Sequence, residues 1–188
     1  MRKGMPSQPA SESLDAETLF RRHAQFVASF VARLGFRGQD VDDIVQDVFL
    51  VAHRRGGYAP GPARPTTWLA EIAVRTAMSH RRTSKRTSLL PEAETAERMA
   101  ATDARPDARA QSREALGLAW KALDHLDLER RSVFILYELE GESCDAIAAA
   151  MGIPTGTVYS RLHNARKEFL QAYQRLAADR RSLEGRSS

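Results

Sequence analysis

One face of a predicted helix near the end of the chain carries side chains that share a hydrogen-bonding chemistry. Hydroxyl, guanidinium, amide and ammonium groups recur there at helical spacing, with an imidazole at the edge: Thr157, Ser160, Arg161, Asn164, Lys167 and His163. Such groups donate hydrogen bonds to phosphate oxygens and to the edges of bases. The face therefore predicts recognition of nucleic acid.

A second set of basic side chains follows a turn-rich loop in the first half of the chain. The loop, residues 55–67, holds three glycines and three prolines, and the helix after it carries a stripe of Arg75, Ser79, Arg82 and Arg86. A loop and a basic helix in this order are suited to guiding a single nucleic-acid strand, with Tyr58 and Trp68 as candidate stacking surfaces. Two plainer interpretations stay open. Cations at a helix end complement the helix dipole, and core packing is the favoured role for Trp68.

An acidic face on an earlier helix surrounds one apolar side chain. Around Leu50, the same side of the helix holds Asp43, Gln46, Asp47 and Arg54. An exposed apolar residue ringed by polar groups is a common anatomy of a protein-binding surface. The alternative is a solvated face whose acids lie where the helix dipole favours them. A metal site of Asp40, Asp43 and Asp47 is disfavoured, because no histidine or further acid completes the ligand shell.

The nucleic-acid face belongs to a predicted helix-turn-helix over residues 141–169. Ser143 is a suitable N-cap for the first helix, and Gly152 ends it because glycine enters a left-handed turn at no steric cost. The second helix begins near Pro154 and carries apolar residues at core spacing: Val158, Leu162, Ala165 and Phe169. The small Ala148 allows the two helices to cross closely. Because these features agree, a DNA-reading motif is favoured over an ordinary helical hairpin.

The remaining elements are also predicted to be helical, which makes the chain all-α. Apolar periodicity predicts helices over residues 15–34, 39–54 and 116–126. Thr66 or Thr67 is expected to cap the helix with the basic stripe, and Asp127 the helix that leads into the helix-turn-helix.

Composition divides the chain into two small helical domains joined by a flexible linker. Residues 87–112 contain no aromatic and no β-branched aliphatic residue, so they cannot anchor a core. The predicted organisation is a disordered N-terminus over 1–14, a first domain over 15–86, this linker, a second domain over 113–178 and a frayed tail over 179–188.

Charge and cysteine content bound the partners and the compartment. The 188 residues include 28 basic and 24 acidic side chains, a net charge of +4, which suits a polyanionic partner without proving one. The single cysteine, Cys144, excludes an internal disulfide and fits a reducing compartment. The chain shows neither a secretory signal nor the roughly 20 apolar residues of a membrane span. We therefore expect a cytoplasmic protein without membrane insertion.

The order of these elements resembles a bacterial sigma factor of the sigma-70 family, in its small two-domain extracytoplasmic-function (ECF) class. The region 2 helix that binds the polymerase clamp is similar to DVDDIVQDVFLVAHR, and the promoter −10 helix after it is similar to TWLAEIAVRTAMSHRR. Region 4 is similar to ALDHLDLERRSVFILYELEGESCDAIAAAMGIPTGTVYSRLHNARKEF. The resemblance covers residues 15–86 and 113–174.

The resemblance implies a subunit that gives core RNA polymerase its promoter specificity, with no catalysis and no cofactor. The polymerase clamp helices would be contacted by Asp43, Gln46 and Asp47, around Leu50. The loop from Tyr58 to Thr67 would hold an extruded −10 base, and Arg75, Ser79, Arg82 and Arg86 would follow the strand. The second domain would also dock on the polymerase flap, and an anti-sigma factor is a further expected partner.

The same resemblance places the last helix in the major groove of the −35 element. Arg166 and Lys167 would lie near phosphates, and the groove itself would receive Thr157, Tyr159, Ser160, Arg161, His163 and Asn164.

Two other classes of function are weighed against this one. A free-standing helix-turn-helix regulator would bind a palindromic operator as a dimer, but a long flexible linker sets no half-site spacing. A metal-dependent nuclease using Asp40, Asp43 and Asp47 is remote, because the chain shows no nucleophile beside a base and no glycine loop that cradles phosphate.

Overall fold

The protein is built from helices, as its apolar periodicity predicts. A computed structural model describes residues 13–87 and 106–184, with side chains over 13–83 and 113–180. The first domain contains α1 (Ala16–Arg33), α2 (Gln39–Arg54) and α3 (Pro65–Thr87). The second contains α4 (Pro106–Leu123), α5 (Leu128–Phe134), α6 (Cys144–Met151) and α7 (Thr155–Glu184). The all-α class is therefore confirmed.

The first two helices form where the sequence predicts them. The Asp15 carboxylate caps α1 by accepting a hydrogen bond from the Thr18 amide at 2.8 Å. The apolar faces of α1 and α2 contribute eight buried residues to the first core: Leu19, Val27, Phe30, Val31, Ile44, Val48, Phe49 and Ala52. Phe20 is 51% exposed although it shares the apolar spacing, and its ring meets the edge of Phe49 at 5.0 Å between centroids.

The chain before α1 is anchored to the loop after α2. The amide and carbonyl of Leu14 exchange hydrogen bonds with those of Tyr58 at 3.0 and 2.8 Å, and Leu14 is buried. This isolated bridge holds the loop against the core. The prediction of a disordered N-terminus over 1–14 is therefore wrong at Leu14, while residues 1–12 lie outside the described part of the chain.

α3 begins two or three residues earlier than a cap at Thr66 or Thr67 would allow. Pro65 is its first residue, because a proline there loses no helical hydrogen bond and its fixed φ suits a helix start. Thr66 and Thr67 are therefore inside the helix. The Thr67 hydroxyl is buried and donates to Glu142 of the second domain, so the cap prediction is wrong.

The second domain extends beyond both of its predicted ends. α4 starts at Pro106, so the linker predicted over 87–112 is helical in its last residues, and residues 88–105 lie outside the described part. α7 continues to Glu184, past the predicted start of a frayed tail at 179. The physical reason is that α4 and α7 pack side by side, and tertiary packing stabilises helical turns that local sequence signals do not predict.

The helix-turn-helix forms as predicted. The Asp127 carboxylate caps α5 by accepting from the Arg130 amide at 2.8 Å, and a π-helical turn, Ile135–Leu139, continues α5. The Ser143 hydroxyl caps α6 by accepting from the Ala146 amide at 3.1 Å. Gly152 then ends α6 in the left-handed conformation, with φ of 64° and ψ of 37°.

The two domains pack against each other. Helix α3 of the first domain contacts α5 and α6 of the second, and the buried apolar residues of both domains belong to one connected core. Arg131, only 2% exposed, donates to the Arg33 carbonyl at the end of α1 and to the Asp124 carboxylate at 2.8 Å. The sequence predicts two tethered domains and does not predict this interface. We call this packing of α3 against α5 and α6 the closed arrangement.

Within the described residues, no helix combines the length and the apolar character that crossing a membrane requires.

Candidate functional site

The outer face of α7 is presented to solvent because its opposite side is fully used for packing. Val158, Leu162 and Ala165 are buried against α6, where Ile147 and Ala148 are also buried. The residues of the predicted nucleic-acid face point away from this core, and we call them the α7 polar face. Thr157 and Arg161 are half-buried, and the exposed members are Tyr159, Ser160, His163, Asn164, Arg166 and Lys167. The structure thus brings all eight predicted residues onto one surface.

Two arginines of the α7 polar face are held by acids on the preceding helices. Arg161 forms an ion pair with Glu129 of α5. The Arg166 guanidinium lies over the Tyr137 ring, 5.0 Å from its centroid, and donates to Glu138 at 2.6 Å, which raises the pKa of Arg166. No local sequence pattern indicates these two acids. Each lies about 30 residues from its arginine along the chain, and only the fold brings the pair together.

The acidic face of α2 is exposed and borders an apolar groove. Asp43, Gln46, Asp47 and Leu50 are all exposed, and Leu50 is 44% accessible; we call these four residues the α2 face. Between α1 and α2 lies an open groove of about 530 Å³, and its walls include Gln46 and Leu50 together with Ala16, Glu17, Phe20, Asp42, Val45 and Phe49. The sequence points to Leu50 alone and misses Phe20, which widens the apolar surface.

The three aspartates considered for a metal do not form one site. Asp40 lies 3.7 Å from the His80 imidazole, whereas Asp43 and Asp47 belong to the α2 face. In the part of the chain that the structure describes, no three His, Cys, Asp or Glu side chains are grouped to hold a metal ion.

The basic stripe of α3 is exposed along its middle. Arg75, Ser79 and Arg82 lie on one surface, which we call the α3 stripe. Arg75 forms an ion pair with the buried Glu71, which also accepts from Arg55 at 2.9 Å. The two arginines leave a net positive charge beside this carboxylate. Arg86 lies in the last turn of α3, where side chains are outside the described part of the structure.

Tyr58 is a structural residue of the loop. Its ring is 4% exposed and packs edge-on against Trp68 at 5.9 Å between centroids, and its hydroxyl donates to the Ala63 carbonyl at 2.7 Å. The prediction that Tyr58 is a stacking surface for DNA is therefore wrong, because the ring is covered by the loop that it stabilises. Trp68 is half-buried against the core, in agreement with its favoured role.

The single thiol is also structural. Cys144 is buried in the first turn of α6, and burial raises the pKa of its thiol above the usual value. A thiol that stays protonated near neutral pH is a weak nucleophile, so the role of Cys144 is packing.

The second domain covers the end of the loop that precedes α3. The Glu142 carboxylate is 6% exposed and accepts hydrogen bonds from the Arg64 Nε at 2.8 Å and the Thr67 hydroxyl at 2.5 Å. The Arg64 guanidinium also donates to the Glu140 carbonyl at 3.2 Å, and Glu140 forms an ion pair with Arg33. Sequence reasoning missed this cluster because its members come from both domains.

Comparisons with known proteins find the same two regions. A family model described as Sigma-70 region 2 matches residues 19–87, and one described as Sigma-70, region 4 matches residues 116–169. The ECF RNA polymerase sigma-E factor of Escherichia coli strain K12 is 35% identical over 153 residues, which cover 78% of this chain and 80% of that protein.

Solved structures share the fold. The sigma factor RpoE from Bartonella quintana, in complex with the anti-sigma factor NepR, matches with a TM-score of 0.66 at 23% identity, covering 84% of this chain and 96% of that one. CnrH, in complex with the cytosolic domain of CnrY, matches with a TM-score of 0.57 at 24% identity, covering 87% and 88% of the two chains.

Proposed function

Because the chain belongs to the sigma-70 family, as an ECF RNA polymerase sigma factor, we propose how its surfaces divide the work of that family. The protein directs promoter-specific transcription initiation by RNA polymerase. In our proposal α1–α3 form the domain that binds core polymerase and the −10 element, and α4–α7 form the domain that binds the −35 element and the polymerase flap.

The α2 face is the proposed binding surface for the polymerase clamp helices. Its acids surround Leu50, and the groove beside them adds Phe20 and Phe49. An apolar centre with a charged rim is the anatomy of a protein interface, because the centre supplies binding energy while the rim sets orientation.

The α3 stripe and the α7 polar face are the proposed DNA-binding surfaces. The stripe supplies two exposed arginines and a serine to the backbone of the −10 strand. The α7 polar face enters the −35 major groove, where Arg161 and Asn164 have the side-chain chemistry to read guanine and adenine. The observation that carries this proposal is the capped helix-turn-helix, which leaves six side chains of the α7 polar face exposed and two, Thr157 and Arg161, half-buried.

The protein acts in this proposal by binding alone, in the cytoplasm, without catalysis and without a cofactor. An anti-sigma factor is a proposed additional partner, because the related RpoE was solved with one.

Co-elution with bacterial core RNA polymerase on a sizing column tests the polymerase surface. We expect the wild-type chain to co-elute and Asp47→Arg to elute alone, because a cation would replace an acid of the α2 face. Asp179→Arg is the matched control, since it makes the same charge change on an exposed carboxylate of α7, and it should co-elute. A wild-type chain that elutes alone as a dimer and binds a palindromic duplex would replace the proposal with a free-standing regulator.

A further inference from the structure

A buried carboxylate lies beside the α3 stripe. Glu71 stands four residues before Arg75, on the same side of α3 and one turn nearer to the preceding loop. Glu71 is 4% exposed, whereas the Arg75 side chain is 63% exposed. Burying an acid is costly unless charged partners compensate it, and an acid here lowers the positive charge of a surface proposed to bind DNA. The role of Glu71 is therefore not to strengthen the charge of that surface.

Glu71 gives each of its two oxygens to a different arginine. Oε2 accepts a hydrogen bond from Nη1 of Arg55 at 2.9 Å, and Oε1 contacts Nε of Arg75. Because both oxygens belong to one carboxylate, the two guanidiniums are held side by side. Each guanidinium has five N–H donors, so neither is used up by its contact with Glu71. Their other N–H groups have the chemistry to donate to phosphate oxygens.

Arg55 adds a residue from a second element to this surface. It directly follows α2, and its amide donates to the Val51 carbonyl at 3.0 Å, which fixes its backbone to the end of that helix. Gly56 and Gly57, both with positive φ, form the turn that comes next. The Arg55 side chain is 40% exposed and reaches solvent close to Arg75. Helical spacing along α3 could not indicate a residue that lies outside α3.

We propose that Glu71 positions Arg55 and Arg75 as a pair of cations on the backbone of the −10 strand, which makes Arg55 a further DNA-binding residue. Two guanidiniums and one carboxylate leave one net positive charge at the loop end of the α3 stripe. Holding both long side chains in place before the strand arrives reduces the entropy lost on binding. The inference rests on the proposed −10 role of the first domain.

Fluorescence anisotropy of the holoenzyme with a labelled single strand tests the role of Arg55. The strand carries the −10 segment of a promoter that the wild-type holoenzyme selects from random duplexes, and titrations are made at several salt concentrations. We expect Arg55→Ala to weaken binding about tenfold. It should also reduce the slope of log affinity against log salt by about 0.7, the contribution of one phosphate contact on a single strand.

Arg21→Ala is the matched control for this loss. Arg21 is an exposed arginine of the same domain, and it is also ion-paired, with Glu17 one turn earlier on α1. Its removal deletes the same charge away from the α3 stripe. Affinity for the strand and the salt slope should both stay at their wild-type values, and losses equal to those of Arg55→Ala would overturn the inference.

Glu71→Gln separates positioning from charge. Glutamine keeps the size of the side chain but has one acceptor oxygen, so it can hold only one of the two guanidiniums. Although a negative charge is removed beside the strand, we expect binding to weaken about threefold, because a side chain must then be ordered on binding. The salt slope should stay unchanged, since both arginines remain. Tighter binding than the wild type would show that Glu71 only neutralises the arginines, and the positioning role would be refuted.

A purely structural role of Arg55 gives a different result. If Arg55 only fastens the loop to α3, Arg55→Ala lowers the midpoint of urea unfolding and leaves the salt slope unchanged, which would overturn the inference. Arg55→Lys keeps the cation and should keep the wild-type slope. If circular dichroism shows that Glu71→Gln loses helix, the alanine and lysine variants of Arg55 decide, because this accessible side chain can be changed without opening the core.

Failure of the inference and failure of the proposed function are distinguishable. A wild-type chain that forms no holoenzyme, or a holoenzyme that selects no promoter, refutes the proposed function and the inference with it. A holoenzyme that selects a promoter, and in which Arg55→Ala binds the strand with wild-type affinity and slope, refutes the inference alone.

Discussion

Three arginines of the proposed DNA-binding surfaces form ion pairs with carboxylates. Arg161 pairs with Glu129, Arg166 with Glu138 and Arg75 with Glu71. Each acid lies in the same domain as its arginine. An acid beside a reading arginine restricts its rotamers and reduces the entropy lost on binding. If these arginines bind DNA as proposed, the acids also oppose indiscriminate binding to phosphates and so favour specificity over affinity.

Arg161→Ala tests base reading at the residue scale. We expect binding to a cognate −35 duplex to weaken by about 1 to 3 kcal/mol, the usual contribution of a bidentate base contact. A duplex with a scrambled −35 element serves as control and should lose much less, because only phosphate contacts remain there. Titration of both duplexes by anisotropy measures the difference, and equal losses would show that Arg161 binds backbone alone.

Short elements position the surfaces as much as the long helices do. The loop after α2 turns back on itself through Gly57, whose φ is +88°, and it pairs with Leu14 before α1. The loop thereby buries Tyr58 and delivers Arg64 to the start of α3. In the second domain, Gly152 ends α6 in the left-handed conformation and thereby sets the angle at which α6 and α7 cross.

Gly57→Ala and Gly56→Ala form a matched pair that tests the loop. Both glycines have positive φ, so either alanine costs about 1 to 2 kcal/mol in backbone strain. Only at Gly57 would the new Cβ lie 2.3 Å from the Leu14 carbonyl oxygen, whereas nothing lies within 4 Å at Gly56. We expect Gly57→Ala to lose at least about 1 kcal/mol more, as overpacking usually does. Urea unfolding measures both, and equal losses would contradict the bridge between Leu14 and the loop.

The whole molecule is held closed by a few polar contacts over a shared apolar core. Arg131 is central to them, because its guanidinium joins Asp124 of its own domain to the carbonyl at the end of α1. Burial lowers the pKa of Arg131, while the Asp124 carboxylate opposes that shift. The cost of burying this guanidinium is offset because it donates hydrogen bonds to two acceptors, the Arg33 carbonyl and the Asp124 carboxylate.

Arg131→Ala should destabilise the molecule by about 2 kcal/mol, because the partly buried Arg33 carbonyl loses its donor. The loss stays below that of a fully buried ion pair, since Asp124 is half exposed and can be hydrated. Arg130→Ala is the matched control one residue earlier. Its partners Glu168 and Asp127 are solvent-accessible, so the loss should be clearly smaller than that of Arg131→Ala. Calorimetry measures both variants, and Arg131→Ala should also separate the unfolding of the two domains.

The sequence by itself determined the elements and the faces they expose. Helical periodicity, the caps at Asp127 and Ser143 and the glycine at 152 are local signals, and local signals specify a helix and its polar side. For that reason, six residues of the α7 polar face and the four of the α2 face could be named from the sequence pattern, whereas Tyr159 and Arg166 were named only by the family resemblance.

Only the tertiary structure decided which side chains meet. In the structure Tyr58 is buried and α3 starts at Pro65. Arg161 pairs with Glu129, and Glu142 accepts hydrogen bonds from Arg64 and Thr67. These contacts join residues far apart in the chain, and their energies depend on burial and on partners that no local pattern contains. The closed arrangement of the two domains follows from the same cause, because it is specified by a buried surface shared between distant segments.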